Sequence, residues 1–265
     1  MRRRRRRQGP VGSLAMTAAR RPAVEASPPE KVGDRVQPVV ELRELRKHYA
    51  VGSEIVRAVD GVSLSVLPGT MVALFGPSGS GKSTLLRLMA AIERPDSGAV
   101  LVDGTDVTAM DERQAADFRM NVLGWIGQDS DLVDGASPLD NAAFKLICAG
   151  VGVRQARRHA AQALAAVDFS VRKGQTSETL SLGERQRVMV ARALSLNPRV
   201  LLADEPTGNL DTERTQQVLD LLQSVTHARG MATVLVTHDE RARHYADAVY
   251  TLKDGVLAAG PKGAA

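Results

Sequence analysis

Aromatic side chains are scarce in this 265-residue chain, at 3% of the total. A core with so few rings must rest on aliphatic residues, which the 43% hydrophobic content can supply. There is one cysteine, Cys148. A single thiol excludes an internal disulfide and fits a reducing compartment, and Cys148 is expected to be a small buried hydrophobe rather than a metal ligand. No apolar run reaches the roughly 18 residues needed to cross a bilayer as a helix. The arginine-rich start lacks the roughly 7–15-residue apolar stretch of a secretory signal.

A net basic charge is also missing outside the first 36 residues. The formal net charge is +5, but residues 1–36 hold ten basic and three acidic side chains, a net of +7, which leaves −2 for the remainder. That balance argues against a basic domain surface for nucleic acid. Residues 1–36 are rich in Arg, Pro and Ala without apolar periodicity, and are expected to form a disordered tail. Two readings of Arg2 to Arg7 stay open: an unstructured extension, with Met16 as an alternative start, or a segment that contacts anionic lipid.

What the chain does have is Gly76-Pro77-Ser78-Gly79-Ser80-Gly81-Lys82-Ser83-Thr84. The spacing G-x-x-x-x-G-K-[ST] is that of a phosphate-binding loop. The apolar run Met71 to Phe75 before it reads as a buried strand, and Thr84 to Ile92 after it reads as a helix. Glycines let successive N–H groups turn inward on an anion, and the helix N-terminus adds partial positive charge. Lys82 is expected to reach the β- and γ-phosphates and the Ser83 hydroxyl to ligate Mg2+.

Strands are expected at Val39–Leu45, Val59–Val66, Ser97–Gly104 (turning at Asp103-Gly104), Asn121–Ile126, Arg199–Pro206 and Ala232–Val236. Helices are expected at Glu112–Phe118, Arg154–Val167, Ser181–Leu196 and Thr212–His227, the third opened by a Ser181/Glu184 capping box. The alternation predicts an α/β core with a mostly parallel sheet and a helical subdomain over about 129–180. The main domain is expected to span 37–258, with a short tail at 259–265. Asp204-Glu205 closes an apolar strand. One carboxylate there can hold Mg2+ and the other can orient or deprotonate an attacking water.

Six segments together resemble the ATP-binding-cassette (ABC) ATPases, over roughly residues 38–257. Leu180-Ser181-Leu182-Gly183-Glu184 is similar to that family's L-S-G-G-Q/E signature, and Asp204 to Asp211 to its Walker B and D-loop. Gln128 falls at its Q-loop, His238 at its H-loop, and Tyr49, 27 residues before Gly76, at its adenine-stacking aromatic. The resemblance adds an antiparallel β subdomain to the expected fold. It implies ATP and Mg2+ as ligands and a head-to-tail homodimer, or a heterodimer with a related ATPase. It implies nucleotide contacts from Tyr49, Gly76, Ser78, Gly79, Gly81, Lys82, Ser83 and Thr84. Ser181, Gly183 and Asp211 would act across the dimer interface. Metal contacts would come from Ser83, Gln128 and Asp204, and catalysis from Glu205, His238 and Gln128. Features of the signature and of Ala203–Asp211 look like the lipoprotein-releasing, macrolide-export and cell-division group, which implies a separate transmembrane permease and a place on the inner face of the cell membrane. A transport ATPase and a mechanotransmission ATPase acting on a cell-envelope partner both fit. A soluble cassette working on nucleic acid or the ribosome fits less well, because only about 104 residues separate Gly76 from Leu180 and the chain holds one phosphate loop.

Two departures from the family pattern carry expectations. Leu182 replaces the first signature glycine. If that position needs a positive φ, leucine there costs about 1–2 kcal/mol and weakens ATP-dependent dimerisation; alternatively the side chain points to solvent. Asp129, Asp131 and Asp134 follow Gln128, which predicts a basic docking helix on the permease. Trp125, the one tryptophan, is expected to pack.

Overall fold

The structure is a computed structural model that describes residues 36–127, 132–172, 174–208 and 210–260. Along the chain run β1 (Val40–Val51), β2 (Glu54–Val66), β3 (Thr70–Phe75), α1 (Lys82–Met89), β4 (Ser97–Val102), β5 (Thr105–Asp106) and α2 (Glu112–Asn121). Next come β6 (Leu123–Ile126), α3 (Pro138–Cys148), α4 (Val153–Ala165), α5 (Leu182–Leu194) and β7 (Val200–Asp204). The chain closes with α6 (Thr212–Arg229), β8 (Ala232–Val236), α7 (Ala242–Tyr245), β9 (Ala248–Lys253) and β10 (Val256–Ala259).

These strands make two sheets. One has the order β10-β9-β3-β8-β7-β6 and is parallel except for the β9–β10 hairpin. The other is antiparallel, in the order β2-β1-β4-β5. The fold is therefore an α/β core with a mostly parallel sheet, an added antiparallel sheet and a helical layer.

Strand periodicity sorts the apolar residues into two cores. Met71, Ala73 and Phe75 of β3 face one; Val72 and Leu74 face the other. β7 divides in the same way, Leu201 and Ala203 against Val200 and Leu202. The first core joins the sheet to α3, α4, α5 and α6, and the second joins it to the antiparallel sheet and α1. The largest fully buried side chains are Leu, Met and Ile with no aromatic among them, as the shortage of rings implied. Each fully buried leucine contributes about 2 kcal/mol.

The first hairpin is longer than the sequence pattern indicated. β1 and β2 continue past Leu45 and begin before Val59, meeting at a turn through Gly52 and Ser53. Register shifts at Leu42/Leu45, Leu45/Arg46 and Lys47/His48, with Glu44 at φ 45°, break the period-two pattern over this stretch. Helix ends move by up to three residues from expectation, and Asn121 belongs to α2 rather than to β6. α3 had no separate sequence assignment, although Ser137 caps it and Pro138 takes its first turn.

Cys148 corrects an expectation: it is exposed. The inward side of α3 is filled by Ala142, Ala143 and Leu146, so the last residue of the helix points out with Phe144. The 1–36 tail falls almost wholly outside the described residues, as do Asp129 and Asp131; Asp134 is exposed. Trp125 packs, half-buried, against the second core. Among the described residues no helix is long and apolar enough to cross a membrane.

The α2 capping box offers a stability test away from the cleft described below. The Asp111 carboxylate accepts from the Gln114 N–H at 2.8 Å, and the Gln114 side chain accepts from the Asp111 N–H at 3.0 Å. Asp111→Ala is expected to lower urea-unfolding stability by about 1 kcal/mol, while Glu112→Gln, which leaves the box intact, should change it little.

Candidate functional site

The strand register assembles the site. β3, β8 and β7 are neighbours in parallel, with Leu74 paired to Val236 and Val236 to Asp204. The segments that leave these three strands therefore emerge together at one edge of the sheet. They are the loop 76–81, the pair Asp204-Glu205, and Thr237-His238.

The loop 76–81 is held by steric limits at its two ends. Gly76 has φ 153°, and a Cβ there would lie 2.2 Å from the Leu252 carbonyl oxygen. Gly81 caps α1 at φ 101°, and a Cβ there would lie 1.8 Å from the Ala58 carbonyl oxygen. No side chain fits either place, so the backbone itself packs against β9 and β2. Lys82 folds back over the loop, and its ammonium donates to the carbonyls of Gly76 and Pro77 at 2.8 Å each.

Asp204 ends β7 and is buried. Burial pushes its carboxyl pKa up, and the Glu205 charge acts in the same direction; a hydrogen bond with Ser83 and the Lys82 charge oppose the shift. Glu205 sits at φ 50°, a left-handed conformation that costs a non-glycine residue about 1–2 kcal/mol. Two backbone bonds hold it there: its N–H donates to the Val236 carbonyl at 2.9 Å, and its carbonyl accepts from the Gly208 N–H at 3.1 Å. The turn aims its carboxylate at His238, with Oε2 2.9 Å from Nδ1 and 3.3 Å from the His238 N–H. The Glu205 side chain is 13% exposed and that of His238 is 71% exposed. The pair thus has a sheltered acid and an accessible imidazole.

These groups line a cleft of about 610 Å³ with Ser78, Gly79, Ser83 and Thr84 on the loop side. Tyr49 and Val56 from the long hairpin, with Ala58, line it as well, and the Tyr49 hydroxyl meets Thr84. A volume of this size suits a nucleotide. Nine of the residues expected from the sequence, Tyr49, Gly76, Ser78, Gly79, Gly81, Lys82, Ser83, Thr84 and Asp204, line the cleft together with Glu205 and His238. Val56 and Ala58 line it too and carried no sequence signal, since small apolar residues on a strand have no distinguishing spacing; Gly208, within the Asp204–Asp211 run, lines it as well. Gln128 lies outside the described residues.

Ser181, Gly183 and Asp211 do not line the cleft. Ser181 caps α5, accepting from the Glu184 N–H at 3.3 Å while Glu184 accepts from the Ser181 N–H at 2.9 Å; this is the expected capping box. Asp211 caps α6, accepting from the Arg214 N–H at 2.9 Å. Leu182 is corrected. It occupies the first turn of α5, is absent from the non-glycine residues with positive φ, and is 51% exposed. Leucine is therefore unstrained at this position, and its side chain points to solvent.

Comparison with known proteins agrees with this geometry. The ABC transporter family model matches residues 59–208. The chain is 41% identical over 221 residues to the lipoprotein-releasing system ATP-binding protein LolD of Hahella chejuensis, covering 83% of this chain and 96% of that one. It is 39% identical over 222 residues to the macrolide export ATP-binding/permease protein MacB of Rhodopirellula baltica, covering 83% of this chain but 32% of the longer relative. Among solved structures it is similar to the dimeric post-hydrolysis state of the ATP-binding cassette MJ0796 bound to ADP and Pi. The TM-score is 0.74 at 32% identity, over 83% of this chain and 98% of that one.

Two substitutions test the local energetics. Leu182→Gly removes a solvent-facing side chain from a helix turn without relieving any strain, so it should lower unfolding stability, by at most about 1 kcal/mol; a clear gain in a urea titration would contradict the assignment. Asp204→Asn should raise the melting temperature of the nucleotide-free protein while removing ATP hydrolysis. The folded pKa of Asp204 is raised above its unfolded value. Its charge therefore costs no stability below the unfolded pKa; the cost grows as pH rises from the unfolded to the folded pKa and is constant above it. The stabilisation by Asn should accordingly fade in melts run at acid pH.

Proposed function

This chain belongs to the ABC transporter family as an ATP-hydrolysing subunit of the LolD and MacB type, and from that we propose that two copies close around two MgATP molecules to drive a separate membrane permease. The observation that carries this reading is the meeting of loop 76–81, Asp204, Glu205 and His238 at one sheet edge, with Tyr49 lining the same cleft.

In this reading the loop N–H groups and Lys82 hold the β- and γ-phosphates, with the positive end of α1 behind them. Lys82 already spans the loop, so moving its ammonium from two carbonyls to phosphate oxygens needs only a rotamer change. Ser83 and Asp204 are the residues that would hold Mg2+. Both are hard oxygen donors, they are hydrogen-bonded to each other, and two protein ligands suit an ion that keeps phosphate and water in its other positions. The ion, when bound, would offset negative charge on the phosphate oxygens.

Glu205 is the group that orients the attacking water and takes up its proton. The water oxygen bonds to the γ-phosphorus, the bond to the bridging oxygen breaks, and ADP leaves with that electron pair. His238 fixes the Glu205 carboxylate through Nδ1 and turns its exposed side toward the γ-phosphate. Gln128, which lies outside the described residues, would complete the metal and water contacts. The ring of Tyr49 would take the adenine.

Ser181, Gly183 and Asp211 suit the partner's nucleotide rather than their own. They sit at the N-termini of α5 and α6, where helix dipoles favour an anion and where their own cleft does not reach. ATP would then join two protomers, and hydrolysis would release them, so that work comes from the differing affinity of the closed and open states. The dimeric MJ0796 cassette supports this arrangement. The names of the relatives support export or lipoprotein-type translocation, with the subunit seated on the inner face of the membrane.

Glu205→Gln keeps the shape and removes the base. Phosphate release is expected to fall by at least about 100-fold, and the variant should elute as a dimer with MgATP and as a monomer with ADP. A Glu205→Gln protein that stays monomeric at saturating MgATP would overturn the proposal.

A further inference from the structure

Glu93 stands outside the cleft, in the loop after α1, yet it bonds to a residue that lines the cleft. The Tyr49 hydroxyl donates to Glu93 Oε2. The other carboxylate oxygen, Oε1, accepts from Arg87 Nη1 at 3.3 Å. Arg87 lies on α1, the helix that begins with Lys82, Ser83 and Thr84. The same loop also restrains the strand around Tyr49: Asp96 accepts from the His48 N–H at 2.6 Å and pairs with Lys47 at 3.4 Å. The Lys47 ammonium in turn lies 5.6 Å from the centre of the Tyr49 ring.

We propose that Glu93 is a positioning residue for the nucleotide base, fixing the ring of Tyr49 relative to the phosphate-binding helix. The inference rests on the reading above that the cleft takes ATP with its base on Tyr49. A tyrosine on a hairpin wall is free to turn about two side-chain bonds, and each ligand that stacks on it must first stop that motion. The carboxylate removes the freedom in advance. Because its second oxygen is bound to α1, the base platform and the phosphate loop are referred to one helix. Burial raises the Tyr49 pKa and the Glu93 contact adds to the rise, so the phenol keeps the proton it donates. Glu93 itself does not line the cleft; its effect on the nucleotide passes through Tyr49.

The test uses steady-state hydrolysis by the full chain, with inorganic tripolyphosphate as a competitor that has phosphates but no base. Glu93→Ala is expected to raise KM for ATP by about three- to tenfold with kcat little changed and the tripolyphosphate inhibition constant unmoved. Tyr49→Phe, which keeps the ring and loses the hydroxyl, should show at least the same rise, since that hydroxyl also meets Thr84 on α1. The double variant should be no worse than Tyr49→Phe alone, since the bond to Glu93 is already lost there. Glu93→Gln, whose amide oxygen still accepts, should restore most of the affinity. An unchanged KM in Glu93→Ala, or an equal loss of tripolyphosphate affinity, overturns the proposal; the second result would place the action of Glu93 on the phosphates through Arg87. Tyr49→Ala separates the two levels. If it binds ATP normally, the base does not use Tyr49 and the cleft reading falls as well. If it binds weakly while Glu93→Ala binds normally, only the positioning role falls.

Discussion

The chemistry of this protein depends on the parallel register of three neighbouring strands. Leu74, Val236 and Asp204 lie level across β3, β8 and β7, so the glycine loop, the two acids and the histidine leave the sheet side by side. Were β7 antiparallel to its neighbours, Asp204 would sit at the opposite edge, about 17 Å away for a five-residue strand. The register is held by apolar side chains sorted between two cores. A one-residue slip would send each set into the wrong core and carry the acids out of reach of the loop.

Unfavourable features meet where those strands end. Asp204 is a buried carboxylate, Glu205 is left-handed, and Gly76 and Gly81 bring bare backbone up to carbonyls of β9 and β2 where no side chain fits. The Glu205 backbone alone costs about 1–2 kcal/mol, comparable with one fully buried leucine at about 2 kcal/mol. The cores contain many such leucines, so the fold tolerates a destabilised site. A group that relieves the Asp204 charge on binding would stabilise the folded chain in proportion, which links occupancy of the cleft to the rigidity of the sheet edge.

The antiparallel sheet and the helical layer divide the remaining roles. The long hairpin carries Tyr49 and Val56 to the cleft, and the Ala58–Gly81 contact ties that hairpin to the phosphate loop. The helical layer packs on the opposite face of the main sheet and holds Ser181 and Gly183 at the start of α5, away from the cleft of their own chain. A site with its last contacts on a surface remote from its centre is suited to completion by a second copy, and this is the physical basis of the dimer proposed above.

Residues 76–84, Asp204-Glu205 and Ser181 with Glu184 were legible in the sequence because their roles are local. A glycine loop between a strand and a helix, acids at a strand end, and a capping box at three-residue spacing are each set by contacts within a few residues. The buried strands were legible for the same reason, as unbroken apolar runs between turn signals. Other features depended on distant partners. Bulges in β1 concealed the hairpin that carries Tyr49, since each one reverses the alternation used to find a strand. Exposure of Cys148 and the unstrained backbone at Leu182 follow from which helix face meets the core. The bond from Tyr49 to Glu93 spans 44 residues, and nothing in the spacing announces it. The sequence alone determined where the glycine loop, the strand-end acids and the helix caps lie. Only the tertiary structure decided which of them share a cleft, because strand order and direction set the distances between residues far apart in the chain.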